Sequence, residues 1–253
     1  MKRQLFVLIA GVAVTLPCVC FAANEEIQVY LDDLSQPGQF GVDVHNNFVI
    51  SGDSTLPYPG GLAPLHQYRL TPEFYYGLTK TVELGAYLLT TKTSDGQTHF
   101  EGEKVRIKYI APHDSDNGLF WGANLEVGRT NLYASPQAWN AELKGIAGYR
   151  SGRWTFAINP NVDWSLSKGG GPVTLDVDGK VAYKVTEKTQ IGLETYNELG
   201  PLRHLQGLNQ NSKTLYLALD HDFGQYDLNA GIGRGLTSDA DNWVLKFIIG
   251  THF

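Results

Sequence analysis

The chain has 253 residues and a formal net charge of −6 without any cluster of Lys or Arg, which argues against a nucleic-acid-binding protein. Its two cysteines, Cys18 and Cys20, lie near the amino terminus, so the rest of the chain is not a small exported domain held by disulfides. The length is sufficient for one sizeable folded unit.

Residues 1–22 have the composition of a secretory signal peptide. Lys2 and Arg3 precede an apolar run from Leu5 to about Leu16, and small residues follow, which predicts cleavage after Ala22 or Ala23. The run is shorter than the roughly 20 apolar residues that a membrane-spanning helix needs, which argues against an uncleaved anchor. We therefore expect the mature chain to be exported and to contain no cysteine.

Residues 23–38 are interpreted as an arm that precedes the regular strands. The stretch "NEEIQVYLDDLSQPGQ" alternates through Ile27, Val29 and Leu31 and ends at Pro37-Gly38, a turn signal. Twelve further alternating segments follow it, and a thirteenth strand would place the two ends of a closed barrel on opposite sides. The prediction is therefore an arm in the periplasm or inside the lumen, not another strand.

From residue 39 to the carboxyl terminus, twelve segments alternate between apolar and polar residues. The first has Phe40, Val42 and Val44 on one face and Asp43 and His45 on the other, the period of two that is typical of β-strands. These segments are roughly eight to thirteen residues long, which suits a tilted bilayer crossing of about 9–11 residues better than the usual globular strand of about five or six.

The connections and the aromatic residues indicate how the strands are arranged. Long connections (49–66, 129–138 and 199–213) alternate with short ones such as "GLTK" and "SGR", and all five Trp lie on the apolar face near strand ends. Aromatic rings favour the two membrane interfaces, whereas a soluble sandwich has no reason to sort them in this way. The prediction is an all-β fold, a closed antiparallel transmembrane β-barrel of about 12 strands over residues 39–253, with short periplasmic turns and longer extracellular loops.

The final segment, "NWVLKFIIGTHF", is predicted to close the barrel on its first strand and to carry the assembly signal in Trp243, Phe247, Ile249 and Phe253. The whole mature chain resembles bacterial outer-membrane β-barrels, and the terminal aromatic residue resembles their assembly signal. More narrowly, "EIQVYLDDLSQPGQFGVDVHNNFV", "TPEFYYGLTKTVELGAYL" and "GLFWGANLEVG" are similar to barrels described as transporters, and to relatives of the meta-pathway phenol-degradation barrels. The resemblance implies an outer-membrane location, with lipid and the outer-membrane assembly machinery as partners. We expect a monomer.

The polar face of the strands predicts a charged lumen. The residues assigned to the lumen or solute path are Arg69, Lys104, Arg106, Lys108, Lys144, Glu194, Glu198, Tyr196, Tyr216, Asp220 and Asp222. In a ring of twelve, the tenth strand stands opposite the fourth, so Lys104, Arg106 and Lys108 are expected to face an acidic wall on strands nine to eleven. Such charges either pair across the lumen and close it, or create a transverse field in a wet constriction.

The predicted function is an outer-membrane channel or uptake protein that passes small polar or aromatic solutes through a narrow charged lumen. One alternative is an outer-membrane enzyme of the lipase or protease type. The seven histidines are scattered and no nucleophile-elbow pattern occurs, so we predict no catalytic residue, metal ligand or cofactor. Another alternative is a receptor or adhesin that uses the loop 51–67, or a purely structural barrel.

Overall fold

The computed structural model describes residues 26–114, 116–207 and 211–253. The predicted signal peptide and the first residues of the arm lie outside this range. Within it, no helix is long and apolar enough to cross a membrane.

Twelve β-strands follow one another along the chain. They are β1 (Phe40–Ser51), β2 (Tyr68–Gly77), β3 (Val82–Lys92), β4 (Thr98–Ile110), β5 (Gly118–Thr130), β6 (Trp139–Ser151), β7 (Trp154–Ser165), β8 (Thr174–Thr186), β9 (Thr189–Pro201), β10 (Lys213–Asp222), β11 (Asp227–Gly235) and β12 (Trp243–His252). Each strand pairs antiparallel with its neighbours in sequence, and β1 also pairs with β12, so the sheet closes on itself. The predicted closed antiparallel barrel of about twelve strands is confirmed.

The seam between β1 and β12 is a continuous antiparallel ladder. Val44 faces Ile249 and Phe48 faces Leu245 across it, and the Phe253 amide adds a hydrogen bond of 2.7 Å to the carbonyl of Phe40. The regular alternation of the last strand therefore supplies the backbone groups that would otherwise leave β1 as an open edge.

The two ends of the barrel carry connections of different lengths. At the end where β1 begins and β12 finishes, the turns are 78–81, 111–117, 152–153, 187–188 and 223–226. At the other end they are 52–67, 93–97, 131–138, 166–173, 202–212 and 236–242. We call the first end the short-turn end and the second the long-loop end, although the connection 93–97 at the long-loop end is shorter than 111–117 at the short-turn end.

Burial is inverted relative to a soluble protein. Outward apolar side chains such as Val105 and Trp121 are each 60% exposed, whereas the inward polar side chains of Glu73, Asn124 and Asn159 are almost inaccessible. The core of the molecule is therefore the lumen, and it is polar. An apolar belt on the outside and a polar interior are the pattern of a barrel that spans a membrane.

Glycines on the inner wall make room for inward aromatic rings. A Cβ at Gly148 would overlap the ring of Phe120, and one at Gly233 would overlap Tyr216. Phe120 and Tyr216 are 1% and 2% exposed. These rings occupy the space that a side chain at each glycine would need.

Candidate functional site: the lumen and its acidic vestibule

The arm is fastened at the short-turn end of the barrel. Asp32 accepts hydrogen bonds from both terminal nitrogens of Arg150, and its Oδ2 lies 2.6 Å from Nε2 of His113. Burial alone would raise the pKa of Asp32, but the hydrogen bonds and charge of Arg150 lower it below 3.8. The hydrogen bonds of His113 to the Ala111 carbonyl and to Asp32 raise its pKa above 6.5.

Further along the lumen, Tyr30 of the arm is bound like a strand residue. Its amide donates to Oδ1 of Asn159 at 2.6 Å, and its carbonyl accepts from Nδ2 of the same side chain at 3.1 Å. Its hydroxyl lies 2.9 Å from that of Tyr87, and Nζ of Lys108 and Lys144 lie 5.0 and 4.5 Å from its ring centroid. The arm thus contacts the β3, β4, β6 and β7 walls at one level.

The first described residues of the arm reach the far side of the lumen. The carbonyl of Ile27 accepts a 3.0 Å hydrogen bond from Nζ of Lys246 on β12. Ile27 and Val29 belong to one buried apolar cluster with inward residues of the wall; among the latter are Val49, Ile110, Phe120, Ile146 and Val244. Inward apolar residues are unexpected in a polar lumen, and the arm accounts for these because it covers them.

Arg106 is bound to carboxylates of nearby strands. Its Nε donates to Glu73 on β2 at 2.5 Å and its terminal nitrogen to Glu83 on β3 at 2.8 Å. Lys104 pairs with Glu126 on the adjacent β5 at 3.8 Å. Of the two alternatives, pairing across the lumen is therefore not found for Arg106 and Lys104. Neighbouring strands are only about 4.8 Å apart, so a long side chain meets a partner there first.

Two acids of β9 and β10, Glu194 and Asp220, are bound by lysines of β8 and β12. Glu194 is bound by Nζ of Lys246 and lies 3.1 Å from Nζ of Lys180, which also contacts Asp220 at 2.7 Å. Tyr196 donates to Glu194 at 2.8 Å and packs edge-on against Tyr216. The acidic wall predicted on strands nine to eleven is therefore neutralised in part, at Glu194 and Asp220, whereas the described ion pairs do not include Glu198 or Asp227.

Most of the predicted lumen residues lie inside the barrel, but they form separate groups. Arg69 is buried beside Glu101 on β4, and Lys144 beside Glu142 on its own strand. Asp222, by contrast, is exposed at the short-turn end of β10, at the rim of the barrel. Its exposure follows from its position next to the turn.

The structure reveals a carboxylate arc that the sequence analysis missed. Glu126 faces Glu142, and Glu142 faces Asp163, as direct partners on β5, β6 and β7. Asp176 and Glu198 are direct partners on β8 and β9. Five inward carboxylates therefore follow one another around five consecutive strands. Each was visible as a polar-face residue, but their alignment depends on the register of four hairpins.

Two members of the arc, Asp176 and Glu198, line a cavity of about 490 Å³ at the long-loop end, which we call the vestibule. Residues of the loops 52–67 and 236–242 line its outer part, Asp176 and Glu198 its side, and Ile27 of the arm its inner end. Burial raises the pKa of Asp241 in this lining to about 6, although the charge of Arg69 opposes the shift. The vestibule is acidic, and the arm separates it from the short-turn end.

One group in the described part of the chain brings three possible metal ligands together. Glu26, His45 and Glu73 each place one such atom within 4.8 Å of the others. His45 contacts Glu73 at 3.1 Å, and Glu73 is also bound by Arg106. Because a buried guanidinium already neutralises Glu73, we interpret this group as an ion-pair network and assign it no metal.

The fold defines the class of protein: a closed twelve-stranded antiparallel barrel of the outer-membrane type. The COG4313 outer membrane channel from Pseudomonas putida F1 superposes with a TM-score of 0.60 at 13% identity, over 88% of this chain and 97% of that one. The NanC porin superposes with a TM-score of 0.56 at 13% identity, over 84% of this chain and 98% of that one. The KdgM porin in complex with disordered oligogalacturonate superposes with a TM-score of 0.52 at 11% identity, over 84% of this chain and 98% of that one. At these identities the likeness concerns the fold.

No protein-family model matches the chain, and no curated protein matches it. The narrower resemblance to the phenol-degradation barrels therefore stays a prediction.

Proposed function

We propose that this chain is a monomeric outer-membrane channel that passes small solutes through a lumen narrowed by its own amino-terminal arm. The observation that supports it best is the path through the barrel. A polar vestibule lies at the long-loop end, and directly beyond it the lumen is occupied by a peptide segment that is separate from the wall. A barrel with a purely structural role needs no such vestibule.

The outward surface supports the proposed location. Apolar side chains cover it, and tryptophans such as Trp121, Trp139 and Trp154 are 46–60% exposed near strand ends. Exposed tryptophan at two levels suits the two interfaces of a bilayer. An outer-membrane location places the short-turn end in the periplasm and the long loops outside the cell. The assembly machinery would then recognise the terminal strand with Phe253, which is 75% exposed.

The enzyme alternative has less support from the described side chains. A hydrolytic site needs a nucleophile and a base within hydrogen-bond reach, with a third group to orient the base. His45 is engaged with Glu73, and His113 with Asp32 and the Ala111 carbonyl. Both ring nitrogens of His113 are occupied, which leaves it none to activate a nucleophile, and the described hydrogen bonds of His45 include no hydroxyl or thiol.

Single-channel recording in planar bilayers tests the proposal. The wild type is compared with a variant lacking residues 24–37, and Lys184→Ala serves as the control because the ion pair described for that side chain, with Glu187 near a short turn, is exposed. Each barrel is first shown to be folded by its resistance to unfolding on a gel. We expect a small conductance for the wild type and the control, and a clearly larger one for the deletion variant. A folded deletion variant that conducts nothing would refute the channel.

A further inference from the structure

Basic residues interrupt the apolar outer surface of the barrel at one end. The alternation of the strands places four of them on the outward face, namely Lys92 on β3, Arg129 on β5, Lys213 on β10 and Arg234 on β11. Each is the last or next-to-last residue of its strand at the long-loop end. On the twelve described strands, no Lys or Arg lies on the outward face nearer the short-turn end. We call these four residues the outer basic band.

Most of the band lies beside outward aromatic side chains. The direct cross-strand pairs are Lys92 with Tyr68, Arg129 with Trp139 and Arg234 with Trp243. The guanidinium of Arg234 lies 5.1 Å from the ring centroid of Trp243. An outward charge is costly near the middle of a bilayer, whereas charges and aromatic rings are both accommodated at its interface. The band therefore lies at the headgroups of the leaflet on the long-loop side.

Arg129 lines a cavity of about 440 Å³ on the outward side of β4 and β5, which we call the notch. The exposed Phe100 and Leu132 line it together with polar residues of the loop 131–138. Glu103, the one acid on the outward face of the described strands, is the direct partner of Arg129 and also lines the notch. None of the ion pairs, side-chain hydrogen bonds or cation–π contacts described for the chain involves the guanidinium of Arg129. The notch therefore offers a guanidinium that the protein does not use.

The surroundings of the notch favour a phosphate group that is joined to acyl chains. A guanidinium is planar and binds phosphate oxygens through two parallel hydrogen bonds. Towards the short-turn end, the outward face of β4 and β5 continues with the exposed apolar side chains of Val105, Ile107 and Leu125. A soluble phosphate compound would gain nothing from this apolar surface, whereas the chains of a lipid lie against it. The excess of four outward basic residues over one acid favours an anionic headgroup.

We propose that the outer basic band binds an anionic lipid of the outer leaflet through its phosphate groups, with Arg129 as the main contact. The headgroup occupies the notch, and the acyl chains cover the apolar face of β4 and β5. This inference goes beyond the proposed passage of solutes. It rests on the proposed outer-membrane location and does not depend on whether the lumen conducts.

Native mass spectrometry of the intact, detergent-solubilised barrel tests the inference, with lipid A, which carries phosphate groups on a sugar headgroup, as the probe. The measurement is made in about 0.15 M ammonium acetate, where long-range attraction is screened. The test variant is Arg129→Gln. The matched control is Arg153→Gln, an exposed arginine of a short turn that lies 5.8 Å from the ring centroid of Tyr183.

We expect the wild type and the control to bind lipid A alike and Arg129→Gln to bind it about 10-fold more weakly, because a charged pair of hydrogen bonds is lost. Glu103→Gln should bind it more tightly, since the acid beside Arg129 repels phosphate. Equal binding by Arg129→Gln would overturn the assignment. So would weaker binding by Glu103→Gln, because it would show that the two side chains only support each other.

Two further titrations test the chemistry of the occupant. Lipid A from which the phosphate groups have been removed should bind at least about 10-fold more weakly than intact lipid A, and equal binding would show that only the apolar surface matters. Inorganic phosphate should not displace lipid A at equal concentration. If it does, the notch is a site for soluble phosphate and the proposed lipid is wrong.

Single-channel recording separates this inference from the channel itself. A barrel that conducts but binds no lipid A refutes the lipid site and leaves the channel standing. A barrel that binds lipid A through Arg129 but carries no current, even without its arm, refutes the channel and leaves the lipid site.

Discussion

Replacement of Arg106 by Ala removes a buried cation from between two carboxylates. The side chain of Arg106 is 4% exposed, and those of Glu73 and Glu83 are 2% and 5% exposed. After the substitution, Glu73 keeps its contact with His45, and Glu83 keeps the hydrogen bond that it accepts from the amide of Ser35 in the arm. Two carboxylates then remain in a largely dry part of the lumen without the positive charge and the hydrogen bonds of Arg106.

The expected loss is large because the charges are buried. Breaking a buried ion pair by removing one partner typically costs about 3–5 kcal/mol in the free energy of unfolding. The contacts that remain place this case near the lower end, about 3 kcal/mol, which corresponds to roughly a 100-fold change in the unfolding equilibrium. Combining Arg106→Ala with Glu83→Gln removes one uncompensated charge, so part of the loss should be recovered.

Urea titration of the barrel in lipid vesicles, followed by tryptophan fluorescence, measures both effects. The control is Lys184→Ala, whose ion pair with Glu187 involves side chains that are 39% and 85% exposed, and it should change stability by less than about 1 kcal/mol. A loss below about 1 kcal/mol for Arg106→Ala, or no recovery in the double variant, would show that water reaches these carboxylates and that the lumen is open at this level.

Three further predictions concern the wall, the arm and the terminal strand. In urea titrations, Gly148→Ala should destabilise the barrel by about 1–3 kcal/mol because its Cβ overlaps the ring of Phe120. The same Gly148→Ala substitution should have no such cost when it is made in a Phe120→Leu variant. The pKa of His113 is raised in the folded protein, so its charged contact with Asp32 is complete below pH 6.5 and is lost as the pH rises through the pKa of the folded state. Single-channel conductance should therefore increase between pH 6 and pH 9. Asp32→Asn should abolish this pH dependence, and a steep dependence in that variant would contradict the role of His113. Deletion of Phe253 should reduce the yield of barrel in the outer membrane much more than the urea midpoint of what is assembled, and an unchanged surface yield would contradict it.

The overall fold could be predicted from the sequence because it depends on local periodicity. The period of two assigns every residue to one face, and a sheet whose outer face is apolar has to close in order to satisfy its edges. The pairing of β1 with β12 follows from the regular pattern that ends at Phe253. The same periodicity placed Arg106 and Glu194 inside the barrel, where they lie.

The partners of these charges were decided only by the tertiary structure. Arg106 binds Glu73, two strands away, at a height set by the register of two hairpins and by the bulge between Leu89 and Thr90. Sequence periodicity fixes the face of a residue but not its height relative to other strands. Periodicity therefore could not choose between pairing across the lumen and pairing with nearby strands, and it did not show the carboxylate arc.

The path of the arm was equally beyond the reach of pattern analysis. Ile27, Val29 and Tyr30 alternate like a strand, and nothing in that pattern names Asn159 or Lys246 as the groups that bind their backbone. Those contacts exist because the polar lumen offers side-chain donors and acceptors where a sheet would offer backbone. The alternation of the sequence thus determined a barrel with a polar interior, whereas the registers of the strands and the course of one peptide segment decided how that interior is divided.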